Sequence, residues 1–212
     1  MPITSGIFRK THNHKLPLYM RKVAQIISIV GHPFITIPAF ILIALLGNEI
    51  TTSKFLVALL LIGGLFVPIS IIIYYKTKKG TYSNLDVSDR LQRKSLFLYA
   101  IPLLAAVTTI LYLTGQPRQL CLALLFALIL VIISQVVNLY IKSSLHVSLN
   151  IYLSFLIITQ NITAGLIALL LTGIIGWSRI KLERHTPKEV FWGILVGSTV
   201  SLLLLRVEQW LP

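Results

Sequence analysis

A short charged segment near the C-terminal end of the chain carries the side chains best suited to chemistry. It reads SRIKLERHTPKEVFWG, residues 178–193, and lies between two apolar runs. On a helix that begins near its middle, His185, Glu189, Gly193 and Gly197 recur every four residues and lie along one face. The carboxylate accepts the imidazole N–H, fixes the tautomer and stabilises the imidazolium, while the glycines let a neighbouring helix pack closely. A histidine oriented in this way can act as a nucleophile.

The remaining polar groups of the charged segments are mostly cations. Together with His185 they are Arg90, Arg93, Lys94, Lys142, His146, Arg179 and Arg184. These groups hold and attack a phosphate, and the rigid fork of an arginine suits two phosphate oxygens.

Carboxylates are scarce, with six in the whole chain, and Asp86 with Asp89 is the one local pair. Mg²⁺ sites need clusters of acidic oxygens, so we predict no resident metal or other cofactor. Asp86 and Asp89 are interpreted as helix-start carboxylates or as partners of nearby arginines. His32 shows no ligand spacing and is assigned no role.

The composition is that of a membrane protein. Hydrophobic residues make up 56% of the 212, above the roughly 45–50% of an average soluble domain, and the mean hydropathy is +0.85. We predict an all-α polytopic membrane bundle of six to seven transmembrane helices, forming one catalytic domain over 23–212 after a basic juxtamembrane segment, 1–22. The apolar runs lie at about 23–47, 55–75, 95–114, 119–141, 147–177 and 188–206.

The fifth apolar run decides the topology. As one helix, 147–177 would extend about 46 Å, longer than a hydrocarbon core of about 30 Å needs. We therefore interpret it as a helical hairpin that breaks at 161–165, and prefer seven spans to six.

With seven spans, all of the 19 lysines and arginines except Lys54, Arg118 and Arg206 fall at one face. The positive-inside rule makes that face cytoplasmic, and we expect a cell-membrane protein with the charged loops inside. Topology accounts for the net charge of +13, so we expect the bilayer and an anionic lipid as partners, and no nucleic acid.

Two stretches resemble motifs of the type 2 phosphatidic acid phosphatase family. Ser178, Arg179 and His185 match the third motif, Ser-Arg, five residues, His, three residues, Asp, with Glu189 in place of the Asp. The stretch KSSLH, residues 142–146, is similar to the second motif, Pro-Ser-Gly-His, which some small bacterial members have as Lys-Ile-Ser-x-His. Its fourth residue is Leu where the usual motif has Gly.

NLDVSDRLQRK, residues 84–94, takes the place of the first motif, which normally reads Lys, six residues, Arg-Pro. Neither Arg90 nor Arg93 has a Lys at that spacing before it, and no Pro follows Arg93. The order of the three stretches along the chain is that of the family.

The resemblance implies a metal-independent phosphatase for a lipid phosphomonoester or diphosphate. His185 would attack phosphorus to give a phosphohistidine, His146 would protonate the leaving group, and Glu189 would orient His185. By the same similarity, the phosphate would be held by Arg179, Arg93, Arg90, Lys94, Lys142 and Ser144. Phosphatidic acid, phosphatidylglycerophosphate, an inositol lipid phosphate and a polyprenyl diphosphate are all candidate substrates. Two alternatives stay open: a lipid phosphotransferase with the same histidine chemistry, and a non-catalytic membrane protein or transporter with a decayed site.

Overall fold

The computed structural model describes residues 17–46 and 51–210, and in those residues the fold is all-α, as predicted. The helices are α1 Leu18–Val30, α2 Pro33–Leu46, α3 Thr52–Lys78, α4 Arg90–Leu113, α5 Arg118–Tyr140, α6 Leu145–Ile158, α7 Ile162–Lys181 and α8 Pro187–Trp210. Helix α3 contains a π-helical stretch, Ile62–Phe66. Of the predicted juxtamembrane segment 1–22, residues 1–16 lie outside the described residues, and α1 begins within the rest.

Within the part of the chain that the structure describes, five helices are long and apolar enough to cross a membrane: α3, α4, α5, α7 and α8. The pair α1 and α2, bent by 47°, makes a sixth if it is one span. The prediction of seven spans is wrong by this criterion. Helix α6 has 14 residues and so extends about 21 Å, which is short of a hydrocarbon core of about 30 Å.

The first apolar run, predicted to be continuous, breaks at Gly31 and His32. Gly31 is the C-cap of α1, and Pro33 opens α2, where a missing N–H is tolerated. Helix α7 crosses so closely here that a Cβ on Gly31 would lie 2.4 Å from the Ile175 side chain. The break leaves His32 between two helices, at the end of the bundle that holds the charged loops.

The predicted hairpin within 147–177 is confirmed, but its break lies at 159–161 and not at the predicted 161–165. Helix α6 ends at Ile158 and α7 begins at Ile162, with Asn161 as N-cap, its Oδ1 accepting from the Ala164 N–H at 2.9 Å. A Cβ on Gly165 would lie 2.6 Å from the Ile158 backbone nitrogen, so the glycine permits the tight return of the chain.

Helix α6 lies in the centre of the bundle, packed between α7 and α8. Most of its side chains are buried, and those of Ser148, Asn150, Tyr152 and Ser154 donate to backbone carbonyls. The Asn150 side-chain amide donates to Gly31 O at 3.0 Å and to His146 O at 2.7 Å. The bond to Gly31 O ties α6 to the break between α1 and α2 and gives this buried carbonyl a partner.

The predicted close packing at Gly193 and Gly197 is confirmed. A Cβ on Gly193 would lie 2.7 Å from Ser144 O, and a Cβ on Gly197 would lie 2.8 Å from Ser148 O. Helix α8 therefore rests directly on the backbone of α6, and this contact fixes the start of both helices relative to each other.

We predict that Gly197→Ala lowers the free energy of unfolding by about 1–3 kcal/mol, because the added methyl must push α8 away from α6. Gly173→Ala is the matched control, since a Cβ there meets nothing within 4 Å among the described residues and alanine favours a helix. Thermal unfolding of both purified variants in the same detergent measures the difference. Equal stability of the two would show that α6 and α8 do not depend on this contact.

Candidate active site at one end of the helix bundle

The loop between α3 and α4, residues 79–89, carries Asp86 into the bundle. Val87 follows it with φ at 44° and a fully buried side chain, a strained conformation for a β-branched residue. Arg93 Nε donates to Val87 O at 3.4 Å, and Ser88 Oγ donates to Asp86 Oδ2 at 2.9 Å. Surrounding contacts thus hold the loop in a conformation that it would not adopt alone.

Side chains from separate parts of the chain converge on the Asp86 carboxylate. Arg179 Nη2 and Arg184 Nη1 donate to Oδ2 at 2.5 Å and 3.0 Å. His146 Nε2 lies 3.1 Å and His32 Nε2 lies 3.3 Å from Oδ1. Asp86 is therefore the meeting point of α6, α7, the turn after α7 and the break between α1 and α2.

The arginines that pair with Asp86 are distant in sequence. The nearby Arg90 and Arg93, which the sequence suggested as its partners, bond to backbone carbonyls instead. Asp89 does act at a helix start, as predicted: its Oδ1 accepts from Leu91 N and Gln92 N, both at 2.9 Å.

The Asp86 carboxyl is ionised at neutral pH. Burial by itself raises its pKa, but the interaction with His32 and the charges of His146 and Arg179 outweigh burial. The resulting pKa lies well below the ordinary value of an aspartate.

Arg179 is completely buried. Its Nη2 pairs with Asp86, and its Nη1 donates to Ser28 Oγ on α1 at 2.9 Å. A buried guanidinium stays charged and must be paired, so these contacts fix its fork in one orientation.

A sharp turn after α7 places His185 beside Arg179. The Glu183 N–H donates to Ile180 O at 3.0 Å and the Arg184 N–H to Arg179 O at 3.0 Å. Glu183 has φ at 55°, so this is a Schellman motif closed by a non-glycine residue. The His185 N–H also donates to Arg179 O, at 3.2 Å.

The next turn forms a capping box at the start of α8. The Thr186 N–H donates to Glu189 Oε2 at 3.2 Å, and the Glu189 N–H donates to Thr186 Oγ1 at 3.3 Å. The same Oε2 lies 2.8 Å from His185 Nδ1. Glu189 thus caps the helix and also orients the imidazole of His185. The four-residue spacing predicted the contact with the imidazole but not the cap.

The contact with Glu189 sets the tautomer of His185. A carboxylate only accepts, so Nδ1 carries the proton and Nε2 keeps its lone pair. Burial and the charges of Arg93, Arg179 and Lys142 lower the pKa of His185 to about 2, and the ring is neutral at neutral pH. Nε2 is buried and makes no hydrogen bond within the described residues, which leaves its lone pair available for nucleophilic attack.

Four other buried polar atoms of the site also make no hydrogen bond to the described residues: Arg179 Nε, Ser144 Oγ, His146 Nε2 and Asp86 Oδ1. His146 and Asp86 are at ion-pair distance but not in hydrogen-bond geometry. Most buried polar atoms in proteins have a partner. A cluster without partners is typical of a site that binds a polar ligand.

No family model, curated protein or solved structure matches the chain. The resemblance to the phosphatase family consequently rests on the three motifs.

The remaining predicted phosphate-binding residues fall into three groups. Arg93 is buried and donates to Ser143 O at 2.6 Å, and Arg90 donates to Tyr140 O at 2.9 Å. Both arginines therefore hold the chain that precedes α6. Lys142 Nζ donates to Arg184 O at 2.8 Å and lies 3.6 Å from Glu189 Oε2. Lys94 is exposed on α4 and has no hydrogen bond or ion pair in the described ranges.

His32, Asp86 and His146 have ligand atoms within 4.8 Å of one another, a spacing that a metal could bridge. However, His32 Nδ1 accepts from the Phe34 N–H at 3.2 Å. His32 Nε2 therefore carries the proton of the neutral ring and cannot donate a lone pair to a metal. The tautomer favours His32 as a donor facing Asp86.

Sequence reasoning missed the central place of Asp86 and the part of His32, and it did not predict that Arg184 pairs with Asp86. The Arg184 side chain is partly exposed, yet its guanidinium donates to Asp86 Oδ2 at 3.0 Å. The Gly31–His32–Pro33 triplet was the available signal for His32, because a glycine followed by a proline is typical of a helix break. No local pattern indicates which cations pair with Asp86.

We predict that the difference in melting temperature between the wild type and Asp86→Asn shrinks as the pH falls from 5 to about 3. The folded pKa of Asp86 is depressed, so its ionised form stabilises the fold fully above the unfolded value of about 3.9, and this contribution is lost progressively below it. The loss arises because the unfolded chain takes up a proton at Asp86 in this range, while the folded carboxyl stays ionised. Thermal unfolding in detergent across this range measures the effect, and a difference that stays constant would contradict the depressed pKa.

Proposed function

We propose that this chain is a metal-independent membrane phosphatase that removes phosphate from a phosphorylated lipid through a phosphohistidine. The observation that carries the proposal is the state of His185. Its Nδ1 is held by Glu189, while its Nε2 is buried, unprotonated and without a hydrogen bond in the described residues. An imidazole prepared in this way beside a fully buried arginine fits nucleophilic attack on phosphorus.

The first step transfers the phosphoryl group to the protein. His185 Nε2 attacks phosphorus, the bond from phosphorus to the lipid oxygen breaks, and the departing oxygen takes a proton from the protonated form of His146. Burial lowers the pKa of His146, and the negative charge of the bound phosphate acts in the opposite direction and favours this form. Arg179 stabilises the charge on the phosphoryl oxygens, and Ser144 Oγ donates to one of them. Glu189 stabilises the positive charge that develops on the His185 ring.

The second step releases phosphate. Water attacks the phosphohistidine, its proton passes to His146, and the bond from His185 Nε2 to phosphorus breaks. His146 is thus the acid of the first step and the base of the second. Both histidines return to their starting states.

The position of the site supports a lipid substrate. His146, Arg179 and Glu189 lie at the ends of helices α6, α7 and α8, two of which are apolar enough to span a membrane. In this position the phosphate of a lipid would enter from the membrane surface while its hydrocarbon chain stays in the bilayer. The charge bias of the loops, which the sequence predicts to be cytoplasmic, supports a substrate in the inner leaflet.

The position of Asp86 favours a second candidate, a non-catalytic membrane protein. Its carboxylate already pairs with Arg179, and a permanent ion pair there would keep phosphate out. The two candidates can be distinguished because only the phosphatase would release phosphate from a lipid.

We predict that the purified protein, in detergent with EDTA, releases phosphate from at least one lipid among phosphatidic acid, phosphatidylglycerophosphate and undecaprenyl diphosphate. His185→Ala should lower this rate by about 10³-fold or more, because it removes the nucleophile. Glu189→Gln should lower it less, since the amide oxygen still accepts the Nδ1 proton.

Glu183→Gln is the matched control for the carboxylate: Glu183 lies on the same turn and is exposed, while the carboxylate that bonds to His185 is that of Glu189. Its rate should equal that of the wild type. An unchanged rate in folded His185→Ala would exclude the phosphohistidine, and the absence of release from every lipid would favour the non-catalytic protein.

Sidedness has its own test, in a Cys121→Ser background with a membrane-impermeant maleimide applied to intact cells. Lys79→Cys and Ser53→Cys are both exposed and flank the two ends of α3. We predict that Ser53→Cys is labelled and Lys79→Cys is not, because Lys79 lies at the charged end. Labelling of Lys79→Cys alone would place the site on the outer face.

A further inference from the structure

The Asp86 carboxylate is surrounded by hydrogen-bond donors and histidines, as an anion in a binding site is. Three donors from different parts of the chain bond to one of its oxygens, Oδ2: Arg179 Nη2, Arg184 Nη1 and Ser88 Oγ. The other oxygen, Oδ1, faces His146 and His32. Only one of these donors, Ser88, belongs to the loop that carries Asp86.

The groups that hold Asp86 are also the groups that the proposed mechanism needs. Arg179 has to bind phosphoryl oxygens, and His146 has to face the departing oxygen. With Asp86 in place, Arg179 Nη2 and His146 Nε2 are both directed at a carboxylate. A phosphate and a carboxylate cannot use the same donors at once, and two negative charges a few ångströms apart repel strongly in a buried site.

We propose that Asp86 is an internal competitor for the phosphate subsite: its carboxylate takes the place of phosphate oxygens on Arg179 and His146, and leaves when phosphate binds. This inference rests on the proposed function for the identity of the incoming anion. It adds a residue that sets how tightly the site holds phosphate.

A cavity beside the loop 79–89 leaves room for the Asp86 side chain to move. An open polar cavity of about 500 Å³ lies beside it and is lined by Ser83, Asn84, Ser88, Asp89, Arg90, Lys142, Glu183 and Arg184. A carboxylate that swings into this cavity stays within reach of Arg184 and Lys142, so its charge remains paired. The strained φ of Val87 can relax in the same movement.

The competition has a calculable consequence for affinity. If phosphate binds only the state in which Asp86 has left, the apparent dissociation constant is the intrinsic one divided by the fraction of that state. Asp86→Asn keeps the shape of the side chain but removes the charge that holds it on two arginines. The open fraction then rises, and phosphate binds more tightly.

The test is the binding of inorganic phosphate to the full-length protein in detergent, measured by isothermal titration and by the phosphate-induced rise in melting temperature. Asp86→Asn should bind phosphate at least about tenfold more tightly than the wild type. Asp89→Asn, on the same loop but exposed and bonded only to the backbone of α4, should bind as the wild type does. Equal or weaker binding by folded Asp86→Asn would overturn the proposal and make Asp86 a fixed partner of Arg179.

A second measurement keeps Asp86 in the chain, in case Asp86→Asn does not fold. Ser88→Cys in a Cys121→Ser background places a thiol on the moving loop, where the side chain is now partly buried. Saturating inorganic phosphate should raise the rate of maleimide labelling, because the loop withdraws toward the cavity. An unchanged rate at saturation would mean that Asp86 stays in place.

Neither measurement depends on turnover, so the two proposals can fail separately. Tight phosphate binding by Asp86→Asn without release of phosphate from any lipid would count against the phosphatase alone. Turnover by the wild type with unchanged phosphate binding in Asp86→Asn would count against the internal competitor alone.

Discussion

The guanidinium of Arg179 is buried where α1, α7 and the loop before α4 meet, and its charge has to be neutralised there. An unpaired charge in such surroundings costs several kcal/mol, so the fold depends on bringing Asp86 to it. That requirement explains the strained Val87, because the loop must turn inward at this point. It also explains Ser28, whose hydroxyl on α1 satisfies the other arm of the guanidinium. One buried ion pair therefore sets the relative positions of three segments that are far apart in sequence.

The state of His185 follows from the same cations. A histidine next to a carboxylate is usually easier to protonate, and Glu189 alone would favour the imidazolium. Burial and the nearby charges of Arg93, Arg179 and Lys142 act in the opposite direction and dominate. The His185 ring therefore bonds to a carboxylate, as an imidazolium often does, but remains neutral. The bonds of the Schellman turn and of the capping box fix its backbone on both sides.

The sequence predicted the parts of this arrangement that depend on local spacing. The four-residue repeat from His185 gave the bond to Glu189 and the close packing at Gly193, and the length of 147–177 gave the hairpin. The predicted number of spans was wrong because hydropathy does not show where a helix ends, and α6 ends after 14 residues. The partner of Asp86 could not be predicted, because it depends on tertiary contacts across more than 90 residues of chain.

The contacts of Asp86 help to explain why a site proposed to bind phosphate contains a carboxylate of the protein itself. Neutralising Arg179 needs one well-placed carboxylate, yet Oδ2 accepts from two arginines and a serine while Oδ1 faces two histidine nitrogens outside hydrogen-bond geometry. A carboxylate is planar and directs its lone pairs within that plane. A tetrahedral phosphate has more oxygens and presents them in several directions, so it offers these groups more acceptor positions than a carboxylate does. The donors around Asp86 therefore exceed what a carboxylate satisfies, and they match more closely the needs of a larger anion that replaces it.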